Sequence, residues 1–307
     1  MNRNLLQEGL IRGMKKGGNS FLWMMKIVLP VSFFTSLFAW SGLIEYGDGL
    51  LKPLLSFINL PSFAALPLLM GMLTGLYGGI AAMVVLPLTI EEMTLIGIFL
   101  LIAHNLIQEG IIQAKSGINP FKATSTRIIM AVFTLWLLSP WFPYREINHT
   151  MTVTSTFPSR VSLGPALTHW FFSTAKLTVK AFFIIMFLLT VLELLKTSGW
   201  IKYFTSLLSP FLKLMGLDKN TSFLWITAIF FGLAYGGSVI VEESKEGSLS
   251  KEEIERLHVS IGLNHSLIED PLLLVALGIN PFWLYVPRLL IAAFTVQFLR
   301  LWQKIRN

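Results

Sequence analysis

The stretch Asn264-His265-Ser266-Leu267-Ile268-Glu269-Asp270-Pro271 lies inside an apolar run from about Leu257 to Gly278. Ionisable side chains are expensive in such a run and point to function when they occur there. The segment His104-Asn105-Leu106-Ile107-Gln108-Glu109-Gly110 sits in an equally apolar run 161 residues earlier. Two membrane helices with a histidine and carboxylates at matching depths predict a polar site between them.

The correspondence extends outward from both segments. At an offset of 161, Glu91/Glu252, Glu92/Glu253, His104/His265, Leu106/Leu267, Ile107/Ile268, the whole Gly-Ile-Asn-Pro-Phe run, Arg127/Arg288, Ala131/Ala292 and Phe133/Phe294 coincide. These are thirteen identities in 43 ungapped positions, where ordinary composition gives about three. Upstream the register slips: Tyr77-Gly78-Gly79 matches Tyr235-Gly236-Gly237 at 158, and Ser41-Gly42 matches Ser198-Gly199 at 157. The chain is an internal duplication.

Composition fixes the medium. Of 307 residues, 54% are hydrophobic and only 13% charged, with a mean hydropathy of +0.67. Soluble domains carry nearer a quarter charged residues, and the repeated apolar runs reach the ~20 helical residues that cross ~30 Å of hydrocarbon. Strand-period alternation is absent, which argues against an outer-membrane barrel. The fold class is all-α: a polytopic helical membrane protein of about eight transmembrane helices in two homologous repeats, with short interfacial helices. The net charge of +7 reads as Lys and Arg in loops beside anionic lipid, not as a nucleic-acid surface. With no cysteine there is no disulfide, thiolate nucleophile or metal–sulfur site.

In chain order, residues 1–20 read as a polar, basic cytoplasmic tail and 21–142 as the first repeat. Residues 143–165 form a polar linker, and 166–307 the second repeat. In each repeat a long apolar run is followed by a short amphipathic piece (46–60 and 203–217) suited to the membrane interface. Next come a run interrupted at Tyr-Gly-Gly, the His-bearing run, and a last helix after Gly-Ile-Asn-Pro-Phe. Four crossings per half make the repeats parallel with both termini cytoplasmic, which the Lys/Arg bias favours only weakly; re-entrant hairpins would instead invert them.

Residues four apart share a helix face, so a continuous helix stacks His104 over Gln108, Asn105 over Glu109, His265 over Glu269 and Ser266 over Asp270. With Asn264, these residues form the expected substrate or ion site. Its chemistry suits a proton, a divalent cation held by His104, His265, Glu109, Glu269 or Asp270, or a polar organic solute. The bland alternative is a polar network that only fixes helix packing. Tyr77, Gly78, Gly79, Tyr235, Gly236, Gly237, Ser238 and Glu242 would line the site if the Gly-Gly pairs unwind; otherwise the glycines serve close packing.

Thr89-x-x-Glu92 and Ser250-x-x-Glu253 are capping-box patterns, and Asn119-Pro120 and Asn280-Pro281 are helix starts. Arg127, Arg288, Lys176 and Lys180 are expected to snorkel to headgroups. His149 and His169 have no helix-spaced zinc partner and no nucleophile elbow occurs, so an enzyme is not expected.

The Gly-Gly and His/Glu segments resemble the Gate, or nucleoside-recognition, domain family, one unit per half, centred on Gly71 to Phe133 and Ile229 to Phe294. Its relatives include spore maturation proteins A and B and the membrane part of the ferrous-iron transporter B family. The resemblance implies transport of a nucleoside-like solute. The absence of a GTP-binding domain and of any cysteine sets the chain apart from the iron transporters. The expectation is an inner-membrane permease of a bacterium or archaeon, with no cofactor beyond a proton or divalent cation. Its partners are the lipid bilayer, a small solute or ion, and a second copy or another membrane subunit. The competing reading is a non-transporting scaffold.

Overall fold

The computed structural model describes residues 3–43, 48–142, 162–199, 212, 214–218, 221–222, 224–229, 240–241 and 249–306. Among these every regular element is a helix. Residues 203–211 of the second amphipathic piece, His149, Tyr235, Gly236, Gly237, Ser238 and Glu242 lie outside the described residues.

Five helices are long and apolar enough to cross a membrane among the described residues. Helix α1 (Arg3–Trp40) includes the polar segment expected as a tail. Its Gly9, Gly13 and Gly17 lie against Thr197, Thr190 and Met186 of α8 (Leu163–Thr197). Farther along, Phe21 meets Phe182 edge-on and the Thr174 hydroxyl bonds Ser32. Because α1 numbers rise as α8 numbers fall, the two helices run antiparallel. Arg12 and Lys16 both reach Glu193, at 3.5 and 2.6 Å, so the basic residues of the supposed tail neutralise a carboxylate on the packed face of α8.

The amphipathic piece is α2 (Asp48–Ser56), with Leu50 and Leu54 on the outside and Leu55 buried. An apolar outer stripe on a short helix suits the membrane interface.

The next run, expected to cross once with a break at Gly78-Gly79, instead folds back on itself. Helix α3 (Ala65–Thr74) ends at Gly75, whose φ of 91° is open to glycine and strained for other residues, and α4 (Leu76–Met83) returns. Gly78 and Gly79 are helical and sit at the contact between the arms. A Cβ on Gly79 would lie 3.3 Å from Gly71 Cα and 2.3 Å from a Leu100 methyl. The glycines therefore serve close approach, and the chain reverses three residues earlier.

Helix α5 (Ile90–Ala103) is the buried centre of the fold: Leu95 to Ala103 are all inaccessible. It is continued by α6 (Leu106–Lys115) and followed by α7 (Pro120–Leu138). In the second half α9 (Lys251–Asn264), α10 (Glu269–Val275) and α11 (Pro281–Arg306) repeat that order. Both capping boxes form: Thr89 with Glu92, and Ser250 with Glu253. Asn119 and Asn280 each cap the helix that follows, accepting from the backbone N–H of Phe121 and Phe282 at 2.9 Å.

The α5–α6 rod of the first half packs antiparallel on α9–α10 of the second. Gly278 lies by Ile90, Leu274 by Gly97, His265 by His104, and the His258 carbonyl by Gln113. This is the inverted arrangement that re-entrant hairpins bring, not the parallel one. The hairpin accounts for it: with residues 62–83 folded back on themselves, the long helices of the first half among the described residues are α1, α5–α6 and α7.

Candidate functional site

Two interrupted helices meet at the centre. The α5–α6 rod stops at Ala103, His104 is extended (φ −91°, ψ 164°) and Asn105 is left-handed (φ 50°) before α6 begins. The second copy does the same: α9 ends at Asn264, His265 is extended (φ −72°, ψ 167°) and Ser266 is left-handed (φ 49°). A left-handed non-glycine residue costs about 1 kcal/mol, so something must hold each break open. Asn105 N–H donates to the Gly71 carbonyl at 2.9 Å, while Ser266 and Leu267 N–H donate to the Ala228 and Ile229 carbonyls at 3.4 and 3.2 Å. Gly71 and Ala228 are themselves equivalent at an offset of 157, so each half secures its break with the same preceding helix.

The freed carbonyls are taken by arginine. Arg127 donates through Nε to Ile102 O at 2.8 Å and through Nη2 to His104 O at 2.8 Å. Arg288 donates to Leu263 O at 2.8 Å and His265 O at 2.6 Å. Both side chains are buried, which corrects the expectation that they snorkel to headgroups. Where no water reaches, backbone carbonyls must be satisfied from within the protein. A planar guanidinium can span two of them at once, and its charge suits a helix C-terminus. Lys180 likewise turns from the expected headgroup contact and donates to the Ala276 carbonyl beyond α10 at 2.7 Å.

Held this way, the two imidazoles point at each other. His104 Nδ1 lies 2.7 Å from Leu100 O and His265 Nδ1 2.9 Å from Ile261 O. A carbonyl only accepts, so each Nδ1 carries the hydrogen and each Nε2 faces the centre. The Nε2 atoms are 3.2 Å apart. Glu109 Oε1 lies 3.3 Å from one and 3.2 Å from the other, while its Oε2 accepts from Arg127 Nη1 at 2.6 Å. Asp270 Oδ2 is 3.7 Å from His104 Nε2.

The predicted residues thus divide. His104, His265, Glu109 and Asp270 converge. His104 meets Glu109 five positions on, not the residue four on as a continuous helix would have it, because the break intervenes, while His265 meets Glu109 from the other half. Asn105 and Gln108 pair with each other at 3.1 Å toward the outside, and Glu269 accepts from the Tyr77 hydroxyl at 2.5 Å, so Tyr77 joins the site from α4. Ser266 lies at the break, largely buried. Asn264 is fully buried with neither amide atom bonded among the described residues. Gly78 and Gly79 stay helical at the contact between α3 and α4, the close-packing alternative. Arg127 and Arg288 were missed as site residues, although an arginine repeated at the same place in two apolar helices was a readable signal.

At the polar rim, Glu255 accepts from Lys122 of α7 and, at 2.7 Å, from Gln303 of α11. Partial burial pushes its carboxyl up, but those hydrogen bonds and the charges of Lys122 and Arg306 outweigh it and hold it below the usual carboxylate range.

The Gate family, described as nucleoside recognition, matches residues 178–266. The chain is also 29% identical over 301 residues to the uncharacterized membrane protein YvoD of Bacillus subtilis (strain 168), covering 96% of this chain and 93% of that protein. No solved structure matches. The matched span runs from within α8 to Ser266, so it ends on the break that carries His265. The chain is a helical membrane protein whose residues 178–266 are similar to the Gate, or nucleoside-recognition, family.

Proposed function

We propose that this protein is a permease that carries a small polar solute or ion through the interface between its two broken helices. The observation that carries the reading is the inverted pair of breaks meeting at His104 and His265, 3.2 Å apart. Oppositely oriented repeats with discontinuous helices at their shared boundary supply two nearly equivalent states, one open to each side of the bilayer. The family description makes a nucleoside-like solute the first candidate cargo. Tyr77, Asn105, Gln108 and Glu269 offer the hydroxyl, amide and carboxylate groups such a solute needs. In this reading the site serves binding and passage in a bacterial or archaeal inner membrane.

The chain has no native cysteine, which makes the reading directly testable. Single variants Gln108→Cys and Ser266→Cys in oriented vesicles should react with a membrane-impermeant maleimide added to either side in turn. Uptake of radiolabelled uridine into proteoliposomes is the cargo assay. Labelling confined to one side at both positions would end the alternating-access reading, and no labelling at all would favour the scaffold.

A further inference from the structure

The atoms that converge at the centre are all acceptors. Each imidazole has committed its N–H to a backbone carbonyl, so the two Nε2 lone pairs face one another at 3.2 Å. Glu109 Oε1 and Asp270 Oδ2 add further lone pairs, and Asp270 Oδ2 has no hydrogen-bond partner among the described residues. Such a group repels itself unless a positive species sits within it.

We propose that His104, His265 and Asp270 bind a divalent cation of the zinc, manganese or ferrous class, with Glu109 as the adjoining carboxylate. The proposal deepens the transport reading and rests on it only for the role of the ion as cargo or coupling ion. Spacing supports it. A tetrahedral metal with bonds of about 2.0–2.1 Å holds its ligand atoms roughly 3.3–3.4 Å apart. The separations present are 3.2 Å between the imidazoles, 3.2 and 3.3 Å to Glu109, and 3.7 Å from His104 to Asp270. The donor atoms of His104, His265 and Asp270 all lie within 4.8 Å of one another.

The surroundings agree. A ligating histidine generally donates its other ring N–H to a carbonyl or carboxylate, which sets the tautomer and aims the free nitrogen; here Leu100 and Ile261 do this for both rings. Three carboxylates, Glu109, Glu269 and Asp270, stand against the two guanidiniums of Arg127 and Arg288, leaving the pocket able to accept positive charge. Two imidazoles favour a borderline cation over magnesium or calcium, which seek oxygen alone. A shared proton could relieve the imidazole pair but would leave Asp270 Oδ2 without a hydrogen-bond partner among the described residues.

The test uses the full chain, purified in detergent and stripped with chelator. Titration with Zn²⁺ and Mn²⁺, read by metal analysis after gel filtration, should give one ion per chain with Mg²⁺ unable to compete. Co²⁺ should give the intense visible absorption of a four-coordinate N/O site. His104→Gln or His265→Gln should weaken binding by about 100-fold or more, since each removes a direct ligand. Asp270→Asn, an isostere less prone to misfold, should weaken it by at least about tenfold. Glu91→Gln, an exposed change in the first turn of α5, should leave it unchanged. No ion on the parent protein, or full binding by folded variants that melt like the parent, would overturn the site. If the ion binds but vesicles do not accumulate ⁶⁵Zn or ⁵⁴Mn, the site stands and its role as cargo fails. Uridine uptake by a parent protein that takes no ion would sink the site and keep the permease.

Discussion

Glu109 and Asp270 hold the same position in the two repeats, yet only Glu109 reaches its arginine. Its Oε2 lies 2.6 Å from Arg127 Nη1, whereas Arg288 Nη1 and Asp270 Oδ2 are both buried without a hydrogen-bond partner among the described residues. The carboxylates differ by one methylene, about 1.5 Å of reach. One half is latched and its copy is open, which breaks the two-fold relation where the site lies. Asp270→Glu should close the second latch. Satisfying two buried polar groups is worth about 1–3 kcal/mol, so the variant should melt at a higher temperature. It should also transport more slowly, because both halves would be held. An unchanged melting temperature together with unchanged uptake would show that the asymmetry has no bearing on exchange.

Much of this was legible in the residues, and the gaps have physical causes. The duplication, both capping boxes and the Asn-Pro helix starts depend on local chemistry that spacing reveals. The meeting of His104 and His265 followed from the cost of ionisable groups in apolar runs. The breaks did not: neither Asn105 nor Ser266 is glycine, and no proline marks the turn, because the strain is relieved by distant groups such as Gly71 O and Arg127. The hairpin at Gly75 was hidden by the more conspicuous Gly78-Gly79, so the inversion of the repeats stood only as the alternative that a re-entrant hairpin would bring. Arg127 and Arg288 were assigned to headgroups by their nearness to helix ends, which outweighed the fact that both copies retained them.

The arginine clamps should be irreplaceable by lysine. An ammonium is a point charge on a flexible stem and cannot bridge two carbonyls in fixed geometry. Arg127→Lys and Arg288→Lys should each lower stability, and Arg127→Gln more so, by about 3–5 kcal/mol, because it strands the buried Glu109 carboxylate. Denaturant or thermal unfolding in detergent reads this out. In the double variant Arg127→Gln/Glu109→Gln much of the added loss should disappear; a simple sum of the single effects would show that the two do not interact.

Close approach of helices gives a third expectation. A Cβ at Gly79 would sit 2.3 Å from a Leu100 methyl and 3.2 Å from Pro67 O, so the re-entrant arms cannot accept it without moving. Gly79→Ala should cost about 1–3 kcal/mol, partly restored by Leu100→Ala, which clears the side chain but not the carbonyl. At Gly13 the obstacle is the Thr190 Cα, 2.6 Å away, and backbone cannot step aside. Gly13→Ala should therefore part α1 from α8, and no side-chain trimming on α8 should rescue it. Cross-linking of a Gly9→Cys/Thr197→Cys pair, with and without Gly13→Ala, measures the separation.

The rim contact joins the start of α7 in one repeat to α9 and α11 in the other, through Lys122, Glu255 and Gln303. The matching positions at the opposite end are Trp283 and Thr94, which cannot form an ion pair with each other. Instead Phe142 meets Trp283 edge-on there, with ring centroids 4.8 Å apart. The two ends should then respond differently to acid. Because the Glu255 carboxyl is held below its usual range, its contribution is fully present above the unfolded value of about 4.3. That contribution fades as pH falls through the lowered folded value. Glu255→Gln should accordingly melt below the parent at pH 7, and the gap should close in strong acid. In the proteoliposome assay the same variant should admit maleimide more readily to Gln108→Cys from the side where Lys122 lies. A pH-independent gap would mean that Glu255 acts through packing and not through its charge.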